Sequence, residues 1–421
     1  MNTVLDRLTD AMSAAASTVR DEELHPLTMP QRQWRQWPWV APVAAAAAVV
    51  LVIGLAVSVS NGLFGTRRSG GPTFLPAAPH RYYLATDIGT WKTVVRSTAT
   101  GKIIAVVPVP SLAAEGSVSP ALASAGDGSF YIAAFERGVR SEQIYRFRLT
   151  AAGQVTGFAR IPGGMLRPGW AADALAASPD GSRVAVGAYY YPDHGQYGPQ
   201  RSDQLVVINT ATGTQSLWRG GSPARGYRFF RVASLSWTGA TRGLVVLGEW
   251  CKVASNPGGE GCPRWERQAQ LRAINPAGPG GGSVLAGRLL LQQAPRTYLA
   301  QALASPDGSV ITAMVLRGKI AGNPEISGTY PRNMSVEQIS TATGRLLGVI
   351  YRRDLGDTSS VSGPMADPLT LIADAAGRSL ILDGGICNRG CTNEFNGWLS
   401  GGTLVPLRPA GFAHREAAEA W

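Results

Sequence analysis

The sequence predicts an all-β fold, a β-propeller of six four-stranded blades with seven as the alternative, and three observations predict it. The first is a turn that closes strand-like runs at Thr98-Ala99-Thr100-Gly101, Thr210-Ala211-Thr212-Gly213 and Thr341-Ala342-Thr343-Gly344, with looser copies at Thr150 to Gly153, Asn275 to Gly278 and Leu399 to Gly401. Successive glycines of this series lie 52, 60, 65, 66 and 57 residues apart. The second is a turn of the Ser178-Pro179-Asp180-Gly181 and Ser305-Pro306-Asp307-Gly308 type, echoed at Ala125 to Gly128, Trp237 to Gly239 and Asp374 to Gly377. Asp-Gly and Thr-Gly pairs suit tight hairpins, which need a positive φ.

The third observation is how the two series interleave. From each repeat-ending glycine to the next Ser-Pro-Asp-Gly glycine the gaps are 27, 28, 26, 30 and 33; from there to the end of the repeat they are 25, 32, 39, 36 and 24. In a four-stranded meander the turns A-B and C-D lie at one end of the blade and the connections B-C and D-A at the other. The variable gaps therefore predict that length variation is confined to the B-C loops, on one face. Arg183 to Tyr190, Gln204 to Asn209, Gly243 to Leu247 and Ser309 to Leu316 read as buried strands, β-branched and apolar between turn residues. Ser-Pro-Asp-Gly itself is read as a turn without a ligand role.

Elements before the repeats follow in order. Residues 1–36 form a tail expected on the cytoplasmic side. Within it Thr3 has capping-box spacing to Asp6, and Leu5, Leu8, Met12, Ala15, Ala16 and Val19 recur at helical spacing, predicting an amphipathic helix over 3–24. Leu5, Leu8, Met12 and Val19 are the candidate partner face; a tail with no partner is the alternative. Residues 37–60 are read as a transmembrane helix, because Val40 to Val59 is twenty residues without a charge, and at about 1.5 Å per residue this spans a hydrocarbon core of ~30 Å. Trp34, Trp37 and Trp39 crowd its start. A cleaved signal peptide is the competing reading. Residues 61–79 are a Gly/Pro-rich linker, 80–409 the propeller and 410–421 a C-terminal tail. The first unit, Arg81 to Pro110, shows strands B, C and D but no A strand; Thr73 to Ala77 and the tail after Arg408 are its two candidate sources.

Composition narrows the function classes. The 421 residues carry a net charge of +11, yet residues 1–36 hold four Arg against five Asp/Glu, so the excess lies beyond them. With no basic run, helix-turn-helix pattern or basic-aromatic interleaving, nucleic acid is not an expected partner. Nucleotide, dinucleotide, serine-elbow and zinc-protease motifs are missing, and no cofactor, metal or catalytic residue is predicted. Cys251 with Cys262 and Cys387 with Cys391 fall just after predicted B strands. They are read as local disulfides, with a four-cysteine zinc site as the alternative. The candidate ligand face is drawn from the B-C insertions: Tyr190, Tyr191, Asp193, His194 and Tyr197 in one, Arg264 and Trp265 in the next, Lys319 and Tyr330 in the third. Packing of the tyrosines against adjoining loops is the competing reading.

The Ser-Pro-Asp-Gly and Thr-Ala-Thr-Gly units, Ser178 to Gly181 and Ser305 to Gly308 above all, resemble WD-like propeller repeats of the TolB type, over roughly residues 80–409. The whole layout is similar to actinobacterial single-pass proteins, some of which accompany extracytoplasmic-function sigma factors. The resemblance implies a non-catalytic interaction platform, since the fold specifies architecture better than function. The expectation is a single-pass membrane protein whose extracytoplasmic propeller senses or binds an envelope ligand or protein. Two alternatives remain: a lyase or glycan-active enzyme with a central pocket, and a transmembrane regulator whose N-terminal helix contacts a cytoplasmic partner such as a sigma factor.

Overall fold

The computed structural model describes residues 81–87, 92–110, 121–135, 141–190, 203–220, 227–239, 243–252, 267–277, 280–294, 297–319, 330–354, 370–373, 380–387, 391–400, 402–407 and 416–420. The expected tail helix, membrane span and linker lie outside them. Among the described residues no helix is long and apolar enough to cross a membrane.

Among the described residues the strands form six four-stranded antiparallel sheets. Blade one contains β1 (Tyr82–Asp87), β2 (Lys92–Ser97) and β3 (Ile103–Val106); blade two contains β4 (Leu122–Ser124), β5 (Ser129–Phe135), β6 (Glu142–Leu149) and β7 (Val155–Met165). Blade three is β8 (Trp170–Ala177), β9 (Arg183–Tyr190), β10 (Gln204–Asn209) and β11 (Gln215–Arg219), and blade four is β12 (Tyr227–Thr238), β13 (Gly243–Lys252), β14 (Arg267–Ile274) and β15 (Arg288–Gln292). Blade five is β16 (Thr297–Ala304), β17 (Val310–Lys319), β18 (Tyr330–Ser340) and β19 (Leu346–Asp354), and blade six is β20 (Thr370–Ala373), β21 (Leu380–Cys387), β22 (Cys391–Ser400) and β23 (Thr403–Pro406). The last strand, β24 (Glu416–Ala420), returns to blade one and pairs with β1, giving the order β24-β1-β2-β3. Contacts run β4 to β8, β12, β16, β20, β24 and back to β4, so these six inner strands close a ring. Of the two candidate sources for the missing inner strand, the C-terminal segment supplies it, and the propeller reaches beyond residue 409.

Apolar runs become strands here because both faces of each blade are covered. Six clusters of buried side chains fill the six seams, for example Tyr131, Ala133 and Ile144 of blade two against Val184, Val186, Val206 and Ile208 of blade three. Across the next seam Ala185, Leu205 and Val207 meet Leu235, Trp237 and Trp250. Alternate residues of β9 thus serve opposite neighbours, which is why its sequence reads as a continuous apolar run.

The Ser-Pro-Asp-Gly units are turns. Ser178 Oγ donates to Asp180 Oδ1 at 2.7 Å and accepts from Arg183 N at 2.9 Å, while Asp180 Oδ1 accepts from Ser182 N at 3.0 Å. Ser305, Asp307 and Ser309 repeat the pattern. The C-D turns have a second role. A Cβ on Gly213, whose φ is +74°, would lie 2.8 Å from Gly163 N in β7 of the preceding blade. Gln215 Nε2 also donates to Gly163 O at 2.7 Å. Gly344 and Gly402 approach Leu290 O and Ile350 O in the same way, at 3.3 and 3.2 Å for the added Cβ. Each of these glycines permits the turn and the close approach of one blade to the outer strand of the blade before it.

Length variation is not confined to the B-C loops. Between β14 and β15 the C-D connection runs over residues 275–287, on the opposite face, and contains a short 3₁₀ turn at Val284–Ala286. The predicted turn at Asn275 to Gly278 is only its beginning. Gly281 N donates to Leu217 O at 2.5 Å and Arg219 N to Gly282 O at 2.9 Å, with an isolated parallel bridge from Arg219 to Ser283, so the insertion covers the outer edge of β11. The D-A connections vary too, from residues 166–169 to 107–121 and 355–369. Their variation is hidden in the glycine spacing because short strands β3 and β4 flank the connection 107–121, whereas long strands β7 and β8 flank 166–169. Outer strands elsewhere stay open: Ile103, Val106, Leu289, Leu346, Leu347 and Val349 are large, apolar and exposed.

Candidate functional site at the rim of the inner strands

Inner strands enter from the face that carries the B-C and D-A connections, and their first halves are irregular in a repeated way. The pairing of β8 with β9 slips between Ala172 and Ala174, that of β12 with β13 between Val232 and Ser234, and that of β16 with β17 between Leu299 and Gln301. Each slip is a β-bulge, a device that re-aims side chains and releases a backbone N–H from the ladder. Side chains from outside the strand accept those N–H groups. Glu142 Oε2 accepts from Ala172 N at 2.6 Å, Asp203 Oδ2 from Val232 N at 3.1 Å and Gln293 Oε1 from Leu299 N at 3.4 Å. In blade six Gln301 accepts from Leu371 N.

Asp173, the bulged residue of β8, reaches the next blade. Arg231 Nε donates to Asp173 Oδ2 at 2.6 Å and its second amino group to Oδ1 at 3.4 Å, with side chains 31% and 16% exposed. Glu249 stands opposite Arg231 in the register of β12 and β13, fully buried, and Tyr298 Oη donates to Glu249 Oε1 at 2.9 Å. The Asp173 carboxylate, and after it Glu249, hold the Arg231 guanidinium well above its ordinary range despite burial. Glu142 is 1% exposed; burial pushes its carboxyl up to about 8, with Asp173 adding repulsion and the Ala172 N–H opposing the shift. At neutral pH Glu142 is therefore largely protonated. The run Glu142, Asp173, Arg231, Glu249 and Tyr298 ties blades two to five together at one level.

Chemically this run is a lock. Glu142 and Glu249 are sealed from solvent, and the exposed edge of the Asp173–Arg231 pair is already satisfied internally. What faces outward beside it is aromatic. Tyr190, at the end of β9, is 48% exposed, and its ring lies 5.9 Å from that of Trp170 with the planes tilted by 53°. A Cβ on Gly169 would come within 2.8 Å of the Tyr190 ring, so the bare backbone there lets the tyrosine approach the start of β8.

Of the residues singled out from the sequence, Tyr190 is the one whose side chain the structure places, and it packs on Trp170 while keeping half its surface open. Tyr191, Asp193, His194, Tyr197, Arg264, Trp265 and Cys262 lie outside the described residues, as do Leu5, Leu8, Met12 and Val19. Lys319 and Tyr330 face each other in the register of β17 and β18, at the base of the third insertion. Cys387 stands opposite Cys391 across β21 and β22, and Cys251 opposite Arg267 across β13 and β14. Among the described residues no group of three or more His, Cys, Asp or Glu is placed to hold a metal ion.

Asp173, Arg231, Glu142, Glu249, Tyr298 and Trp170 are not singled out by the sequence reading. One signal does point to two of them: Asp173 and Arg231 each stand eight residues before a turn glycine, Gly181 and Gly239, as charged residues inside otherwise apolar strands.

No family model matches the chain, and no curated protein is similar to it. Among solved structures it resembles the hydrazine synthase of Kuenenia stuttgartiensis, at 14% identity and a TM-score of 0.40, covering 75% of this chain and 76% of that one. It also resembles the β-propeller domain of Myceliophteria thermophila Cps50 (Swd1), at 13% identity and a TM-score of 0.34, covering 72% and 77%. Prolyl oligopeptidase B of Galerina marginata matches at 10% identity and a TM-score of 0.38 over 72% of this chain, which spans only 36% of that protein. At these values the likeness extends to the propeller architecture and no further.

Proposed function

We propose that the protein is a membrane-anchored, extracytoplasmic propeller that binds an envelope ligand or protein on the face carrying the B-C and D-A connections, without turning it over. The observation that supports this reading is the Trp170–Tyr190 pair, an exposed aromatic surface beside a charged run that is spent on holding the blades together. Aromatic faces bind sugars and peptide side chains through area and ring polarisation at small entropic cost. The B-C connections 191–203, 253–266 and 320–329 join strand ends on this same face, and their residues, His194 and Trp265 among them, are the proposed remainder of the surface. Residues 37–60 anchor the chain, the four cysteines clamp the insertions as Cys251–Cys262 and Cys387–Cys391, and the helix over 3–24 meets a cytoplasmic partner.

Two measurements test the reading. Full-length chain in nanodiscs is screened against envelope glycans and peptides; a bound ligand should be recovered unchanged, and Tyr190→Ala should weaken it at least tenfold without moving the melting temperature. Recovery of a chemically altered ligand would replace the binding module with an enzyme. A membrane-impermeant maleimide should label intact cells carrying Lys102→Cys and not those carrying Ser13→Cys; the reverse pattern would put the propeller inside.

A further inference from the structure

Five inner strands run on in sequence into the next strand of their own blade, with only four to six residues between: 125–128, 178–182, 239–242, 305–309 and 374–379 precede β5, β9, β13, β17 and β21. The sixth, β24, has no such tether. It follows β23 after residues 407–415 and pairs with β1 at Leu84↔Ala420, Ala85↔Ala418, Thr86↔Ala417 and Asp87↔Glu416, with a register break between Leu84 and Ala85; its other contacts are with β4, β20 and β21 of the neighbouring blades. Its sequence, Glu-Ala-Ala-Glu-Ala, has no β-branched or aromatic residue and is spelled in the strongest helix formers. The register also sets two acidic residues, Asp87 and Glu416, at directly opposed positions, an arrangement that weakens a strand pair. The receiving strand is the reverse. Tyr83, Leu84, Ala85 and Thr86 are fully buried in the closed ring, so the edge of β1 requires a strand beside it.

A poorly matched, untethered strand on an edge that must be covered is the arrangement that permits exchange between identical chains. We propose that β24 is exchangeable, and that the inner edge of β1 accepts residues 416–420 of a second copy of this chain. A second copy is the occupant because each chain carries both halves of the pairing just described, so exchange conserves every register contact. The nine residues between β23 and β24, 407–415, have a fully extended reach of about 30 Å. Intramolecular closure has the advantage of a millimolar effective concentration, so closed single rings dominate in dilute solution and exchanged pairs form as the chain is concentrated.

The test uses the full chain and the register pair Thr86↔Ala417. A chain carrying both Thr86→Cys and Ala417→Cys should close an internal disulfide, which fixes the strand in its own ring. Chains carrying Thr86→Cys alone and Ala417→Cys alone are then mixed, concentrated and incubated in a thiol redox buffer. Exchange predicts a covalent heterodimer at least tenfold more abundant than when the Ala417→Cys chain is mixed with unsubstituted chain, and a further Glu416→Lys substitution in the Ala417→Cys chain should slow its formation several-fold without changing the final yield. Internal closure of the double variant without a heterodimer would overturn the exchange. Absence of the internal disulfide would remove the pairing on which it rests.

Discussion

The seam between blades three and four and the seam between blades six and one are built from the same fold element and differ in nearly everything else. The first buries Trp218, Phe230, Trp237 and Trp250 together. Trp237 Nε1 donates across it to Ala176 O and Trp250 Nε1 to Gly220 O, both at 3.0 Å, and the Asp173–Arg231 pair spans its rim. The second packs Tyr83, Ala85 and Val94 against Ile372, Ile381 and Leu407, and its inner strand is the untethered Glu416–Ala420. A ring of repeated blades is therefore not equally strong around its circumference. Strength follows aromatic area and donors that find acceptors across the seam, and closure depends on a segment whose own sequence contributes little.

The contrast can be broken at its strong side first. Trp250→Ala removes a fully buried ring packed at a tilt against Phe230 and leaves Gly220 O without its donor; the expected loss is roughly 3–5 kcal/mol in a urea melt. A loss below that of Ile381→Ala in the closing seam would erase the distinction.

The next largest effect concerns Glu142 and pH. Its pKa in the folded chain, about 8, stands above the ordinary 4.5 of an exposed glutamate, so the native state holds a proton that the unfolded chain has released. The stability it contributes is full below about pH 4.5 and is lost as pH rises toward 8. Glu142→Gln keeps an acceptor for Ala172 N, and should flatten this decline, leaving the variant more stable at pH 8 by on the order of 2 kcal/mol. The turn aspartates work in the opposite direction. Hydrogen bonds from Ser305 and Ser309 hold Asp307 below its usual range, so its contribution is present at neutral pH and lost in acid.

Gly213→Ala sharpens the comparison at the outer ring, since the added methyl meets Gly163 N at a backbone conformation that alanine disfavours; a loss of about 1–3 kcal/mol is expected by thermal melting. Gly348→Ala, with open space around it, should cost less than half as much. The smallest effect is on the weak seam: Glu416→Lys replaces an acid opposite Asp87 with a base, and should raise stability by about 0.5 kcal/mol.

Much of the barrel wall is legible in the sequence for a physical reason. Arg183 to Tyr190 and Gln204 to Asn209 coincide with β9 and β10 because strands packed on both faces must be apolar throughout, and because Asp180-Gly181 and Thr212-Gly213 mark their turns. Glu416–Ala420 is legible only through the A strand that the first unit lacks, and not through its own residues, since it is pairing with β1 that makes it a strand. The rim is equally hidden. Glu142, Asp173, Arg231, Glu249 and Tyr298 are spread over 157 positions; the spacing to Gly181 and Gly239 marks Asp173 and Arg231 alone, and nothing local says that a bulge will turn Asp173 toward the next blade. The insertion 275–287 escapes the spacing argument because Asn275 begins it with an ordinary turn, its side chain accepting from Ala277 N at 3.0 Å.

That insertion has a bearing on handling the protein. By laying Gly281 to Ser283 along β11 it occupies the outer backbone edge of blade three, which leaves no free row of amides there for a foreign strand to join. Among the described residues blade five has no such cover on the exposed side chains of β19, where Leu346, Leu347 and Val349 stand open beside Arg352. In colloidal terms the arginine is the gatekeeper of a sticky stripe. Salt that screens it should be the condition under which concentrated preparations first turn cloudy.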